Sequence, residues 1–169
     1  RFADEIIAGH PDPPRPQPPY YAQVEDARNV ILERVNEGAL LGLYVGHGAR
    51  SFWAQEKLFE EEDAASLTNG RKLPVFLTFS CSTDNFSVPE GDGRDESSLD
   101  GTLLRTVAGG SVASWGSTKE GTLFTHRYLA QGFFTAVFTD GVRELGPAAV
   151  RGKLALSENT ADNRYLIDT

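Results

Sequence analysis

Two residues have the types and surroundings for nucleophilic chemistry: His47, inside Gly46-His47-Gly48, and Cys81, the only cysteine of the chain, inside "FLTFSCSTDNF". A free cysteine that only fills a core belongs within an apolar run. Cys81 stands instead where such a run gives way to polar residues. That is where a nucleophile would be held by a rigid element and still meet a substrate. A free thiol has a pKa of about 8.5 and is mostly protonated at neutral pH, so it needs a base beside it. His47 follows the apolar stretch "ALLGLYV" almost directly and is the histidine with a matching address. Gly46 allows a sharp turn after that stretch, and Gly48 allows its amide to approach a substrate carbonyl. The amides of Gly48 and Cys81 together would form an oxyanion hole.

Each feature alone has an ordinary explanation. Glycine-rich strand ends are common, and lone cysteines often pack as small hydrophobes. The order and spacing of the pair carry more weight. The stretches at 39–45 and 73–80 are short and apolar, as buried strands are, and 34 positions lie between His47 and Cys81. A strand-helix-strand crossover takes roughly 30 or more residues. It makes the two strands parallel, so both residues emerge at the same sheet edge, where open α/β sheets hold ligands.

The remaining elements follow from periodicity. Apolar positions recur at helical spacing from 22 to 37 with Gly38 as a stop, and a weaker helix is predicted through "EEEDAASLTNG" with Asn69 and Gly70 at its end. An acidic loop, "PEGDGRDESS", leads to a helix through "LDGTLLRTV" and a third strand in "GGSVASWG". Two helices close the chain, one through "LFTHRYLAQGFFTAVF" and one from Pro147 to about Leu156. Alternating strands and helices predict a mainly parallel sheet with helices on both faces. Residues 1–20, with "PDPPRPQPP" at 11–19, read as an extended connector or the remnant of an upstream element, and 21–169 as the domain proper.

Composition narrows the function. The chain has 169 residues, 24% of them charged, and a net charge of −8, which argues against nucleic acid and anionic membranes as partners. No apolar run reaches the roughly 20 residues of a membrane span. One cysteine forbids an internal disulfide and leaves the redox compartment open. The three histidines and one cysteine lack zinc spacing, and no catalytic metal is expected. Glu90, Asp92, Asp95, Glu96 and Asp100 read as a solvated acidic loop, with structural calcium as the alternative. The chain begins at Arg1, contains no Met and shows no signal-like segment, so it reads as a fragment or processed product whose address is not visible.

At "LYVGHGARSFW", "LTNGRKLPVFLTFSCSTDNF", "GGSVASWGST" and the Leu145-to-Ala149 stretch with Lys153, the sequence resembles the gingipain-type cysteine peptidases of the caspase-like clan. The resemblance covers about two thirds of the chain. It implies a caspase-like three-layer α/β sandwich, here lacking its N-terminal strands, with His47 as base, Cys81 as nucleophile and Gly48 with Cys81 as the oxyanion amides. It also implies peptide hydrolysis through a thioester, no cofactor, protein or peptide substrates, an upstream propeptide or remaining part of the parent chain, and secretion or cell-surface display by a bacterium. The sequence departs from the family at Asp100-Gly101, where relatives often carry glutamate, so the packing of that helix start is open. Beside the third strand's end, Ser114 and Trp115 would wall the pocket for the side chain preceding the scissile bond, with core packing as the alternative for Trp115. Trp53 reads better as a core or rim aromatic, and His126 as a packed or surface histidine. The rival function is a non-catalytic caspase-like binding or signalling module. A third reading, a serine hydrolase using Ser80 or Ser82, is weaker.

Overall fold

The computed structural model describes residues 23–87 and 97–160, so the proline-rich connector and the acidic residues Glu90, Asp92, Asp95 and Glu96 lie outside the described residues. The described residues open with helix α1 (Val24–Glu37), which turns Ile31, Leu32 and Val35 to the core. Gly38, at φ 104°, ends it in a backbone conformation that side chains resist. Strand β1 (Leu41–Val45) follows, then a small antiparallel meander of β2 (Gly48–Ala49), β3 (Phe52–Trp53) and β4 (Phe59–Glu60). Helix α2 (Glu61–Ala65) has a reciprocal cap between Glu60 and Asp63. Arg28 of α1 grips the same pair, at 2.8 Å from Glu60 and 3.5 Å from Asp63.

Strand β5 (Val75–Phe79), helix α3 (Leu99–Arg105) and strand β6 (Ala113–Gly116) come next. Helix α4 (Leu123–Phe134), begun by a Thr122–Thr125 capping box, runs into a π-helical turn at Thr135–Thr139, and α5 (Leu145–Asn159) follows. The main sheet has the order β1-β5-β6, and both pairings are parallel.

Alternation along β5 divides the core between the two faces of this sheet. Phe76 joins Trp53, Phe59, Leu67, Leu99 and Leu103 under α1 to α3, whereas Leu77 and Phe79 join Leu129, Phe133, Ala148 and Leu156 under α4 and α5. The outcome is a three-layer α/β sandwich, as the strand and helix rhythm predicts. Helices α4 and α5 approach closely through two glycines. A Cβ at Gly132 would lie 2.8 Å from the Gly152 Cα, and one at Gly152 would lie 2.7 Å from both the Leu129 carbonyl and the Trp115 ring.

Two local expectations are corrected. The helix expected through Asn69-Gly70 stops at Ala65, and the meander between His47 and Glu60 takes residues that showed no strand periodicity. Asn69 is instead a buried staple: its amide nitrogen donates to the carbonyls of Lys72 and Gly110, both at 2.9 Å, while its oxygen accepts from the Gly110 amide at 2.8 Å. It thereby ties the entrance of β5 to that of β6. Asn69→Ala would leave buried backbone groups unpaired, at a cost of about 2–3 kcal/mol. Calorimetry should show the melting temperature falling by roughly 5–10 °C, and a change under 1 °C would contradict the staple.

Candidate functional site

The register of β1 and β5 determines what their ends bring together. Val45 pairs with Phe79, so His47 and Cys81 each stand two residues beyond the last matched pair. The Gly46 amide donates to the Phe79 carbonyl at 3.3 Å, which extends the contact past the ladder. A Cβ on Gly48 would fall 2.7 Å from the Ser80 hydroxyl and 3.2 Å from the Thr83 methyl, so the backbone after His47 lies directly against the turn that carries Cys81. The two residues therefore share one rim of the sheet, on touching turns.

The histidine turn is held from both sides. The His47 carbonyl accepts from the Tyr44 hydroxyl at 2.6 Å and from the Ala54 amide at 2.7 Å. Tyr44 stacks on Trp53 at 4.5 Å between centroids and 3° between planes, and its hydroxyl fills the space where a Gly46 side chain would sit. The aromatic pair thus presses the turn down and leaves the His47 side chain exposed. Because the bond from Ala54 to His47 closes the meander one pair beyond Gly48–Trp53, ladder alternation turns the Gly48 amide away from β3.

The turn after β5 is fixed to the loop after β6. The Ser82 amide donates to the Lys119 carbonyl and the Asp84 amide to the Ser117 carbonyl, both at 3.0 Å, with Ser82 in the left-handed region at φ 57°. The Cys81 amide donates to no backbone carbonyl among the described residues. Its thiol is half-buried and directed at the Gly121 carbonyl, 3.6 Å from it. Among the described residues no hydrogen bond joins that thiol to the His47 imidazole.

Beneath the turn lies a polar layer that sequence reasoning missed. Asp100, expected in a solvated loop, is 0% exposed at the start of α3. Burial pushes its carboxyl up, opposed by nearby hydroxyls; that of Thr78 bonds Oδ1 at 3.1 Å, whereas Oδ2 and the Ser114 hydroxyl have no hydrogen-bond partner among the described residues. The packing left open at Asp100-Gly101 is thereby explained: the carboxyl joins the layer, and the Gly101 amide caps on the Ser98 hydroxyl at 3.1 Å. Asp84 is pushed up to about 6, first by burial and then by repulsion from Asp100. Ser80, weighed as an alternative nucleophile, is 0% exposed within this layer, with its hydroxyl 3.5 Å from that of Thr83.

Ser114 and Trp115 diverge, as neighbours on a strand must. The Ser114 hydroxyl sits on the Asp100 side, whereas the Trp115 ring packs between Phe79, at 5.6 Å, and Phe133, at 5.5 Å, with its tip against Gly152. The two residues also border a cleft at the sheet's far edge with Leu77, Phe133 and Leu145. Trp53 is buried in the core, 4% exposed, and so is His126. Burial pushes the His126 imidazole toward its neutral form. No group of three or more His, Cys, Asp or Glu side chains among the described residues could hold a metal, and no described helix is long and apolar enough to cross a membrane.

The raised Asp84 carboxyl has a consequence for stability. Between about pH 4 and 6 the folded chain keeps a proton there that the unfolded chain has released, so this group makes stability fall as pH rises through that window and stay lowered above it. Asp84→Asn should melt higher than the wild type at pH 7.5, and the gap should close near pH 4. A gap that does not vary with pH would contradict the assignment.

Known proteins agree with this architecture. Solved structures similar to the chain include the Arg-specific cysteine proteinase gingipain R, with a TM-score of 0.71 and 21% identity over 84% of this chain and 33% of that one. A complex of the pro- and mature domains of Porphyromonas gingivalis RgpB aligns with a TM-score of 0.69 and 20% identity, over 84% of this chain and 34% of that one. A structure described as a protease has a TM-score of 0.66 and 18% identity, over 84% and 32%. The chain thus spans about a third of the length of these neighbours, and no curated protein matches it. The model of Peptidase family C25 matches all of residues 1–169, and the chain belongs to that family.

Proposed function

We propose that the chain carries the nucleophile and base of a cysteine endopeptidase. The strongest support is the shared register of His47 and Cys81, two residues beyond the Val45–Phe79 pair. In this reading Cys81 Sγ gives its proton to the His47 imidazole and attacks the scissile carbonyl. The resulting oxyanion is received by the amides of Gly48 and Cys81, neither engaged by a neighbouring strand. Collapse breaks the C–N bond, His47 returns the proton to the leaving amine, and water hydrolyses the thioester. The chemistry needs neither metal nor cofactor. The acidic loop, which lies outside the described residues apart from Asp100, leaves structural calcium as the alternative to a solvated loop.

Residues 1–20 are a proline-rich connector or the remnant of an upstream element, and 21–169 are the C-terminal portion of the peptidase domain. The substrate is a protein or peptide, and Trp115 and Ser114 remain the candidates for its pocket, although they face opposite sides of β6 and the cleft they border lies away from Cys81. A propeptide partner is suggested by the RgpB complex of pro- and mature domains. Family membership further supports secretion or surface display by a bacterium, and the acidic charge disfavours nucleic-acid and membrane partners.

The bond from the thiol to Gly121 favours a second reading, a non-catalytic module in which Cys81 stays parked. Peptide-library digestion by the intact protein separates the two. Cys81→Ala should abolish cleavage, and His47→Ala should lower kcat by roughly 10²–10⁴-fold. A thiol blocker should reproduce the cysteine variant. Cleavage that survives Cys81→Ala would overturn the peptidase reading, and a complete absence of cleavage by the wild type would favour the module.

A further inference from the structure

His126 is a buried titratable group that the proposed chemistry does not use, and its neighbours are the segments that hold the thiol. It sits in the first turn of α4, and the Thr122–Thr125 box fixes where that turn begins. Its Nε2 lies 3.4 Å from the Ser117 hydroxyl, and its ring lies beside Phe79, two residues before Cys81, with 6.1 Å between the ring centroids. Gly121 rests on the imidazole so closely that a Cβ there would be 2.3 Å from Nε2. The Gly121 carbonyl is the acceptor facing the Cys81 thiol. One imidazole therefore touches the strand end that carries the nucleophile, the loop that braces it and the residue that receives its hydrogen bond.

We propose that His126 is a positioning residue for Cys81: it clamps the end of β5 to the Ser117–Gly121 loop and sets the height of the Gly121 carbonyl against which the thiol rests. This deepens the peptidase reading and rests on it for its link to turnover. The physical basis is orientation. A side chain held by backbone anchors on two sides has few rotamers to search before it meets its base, and small displacements at such a site are costly. Leucine at 126 would fill a similar volume beside Phe79 but would release the Ser117 hydroxyl. Glutamine would keep an amide near the place of Nε2.

The test is the rate of iodoacetamide alkylation of Cys81 in the intact protein, together with kcat and KM for a cleaved peptide. His126→Leu should alkylate about tenfold more slowly, the rate equivalent of about one lost hydrogen bond. Its kcat should fall by a similar factor while KM stays within about twofold, and His126→Gln should recover to within about threefold of the wild-type alkylation rate. Should the leucine variant fail to fold, Gly121→Ala displaces the same contact and should slow alkylation likewise. Alkylation of His126→Leu at the wild-type rate would overturn the proposal. So would equal slowing in the leucine and glutamine variants with equal losses of melting temperature, because that pattern reports packing alone. His47→Ala, measured in parallel, keeps the two ideas apart. An unchanged rate there removes the base and the peptidase reading, whereas the role of His126 is still read from its own pair of variants.

Discussion

The parallel pairing of β1 with β5, with Val45 opposite Phe79, is the constraint from which the geometry of the sheet rim follows. A parallel pair points both carboxyl ends the same way, and strands lie about 4.8 Å apart. Two turns leaving such a pair at the same register must touch, and here they do, through Gly46 on the Phe79 carbonyl and Gly48 on Ser80. A side chain at position 48 would push the turns apart. One or two residues of slippage in the register would separate the imidazole from the thiol along the sheet axis.

Much of this was legible in the sequence, for identifiable reasons. Apolar runs bounded by glycine and polar residues mark β1 and β5, and the distance between them dictates a crossover. Helical spacing marks α1, and Pro147 falls in the first turn of α5. What was not legible depends on tertiary contacts. Asn69 looks like a helix stop because asparagine before glycine commonly is one, yet its side chain is consumed by the backbone of a loop far along the chain. The meander from Gly48 to Glu60 has strands of two residues, too short to display a period. Gly132 and Gly152 read as helix weakeners, and only the crossing of α4 and α5 gives them a purpose.

The candidate site follows the same division. His47 and Cys81 could be singled out because residue type and strand-end position coincide. The layer below them could not. Asp100 belongs by sequence to an acidic run, and nothing local distinguishes it from its solvated neighbours. The Thr78 hydroxyl bonds one carboxyl oxygen, with the Thr83 and Ser114 hydroxyls nearby on a turn and a second strand, while Oδ2 has no hydrogen-bond partner among the described residues, so burial holds the carboxyl toward its protonated form. His126 was readable as a packed or surface histidine, and nothing local showed that it is buried against the segments around the nucleophile turn.

Covalent attachment of Cys81 Sγ to substrate is the step that the proposed chemistry cannot do without. Mass spectrometry of the intact protein after reaction with a peptidyl fluoromethyl ketone reads it out. One peptide equivalent should be found on Cys81, with the adduct absent from His47→Ala on the same timescale. An adduct on Ser82 or another side chain, in a protein that still cleaves peptides, would contradict a cysteine nucleophile.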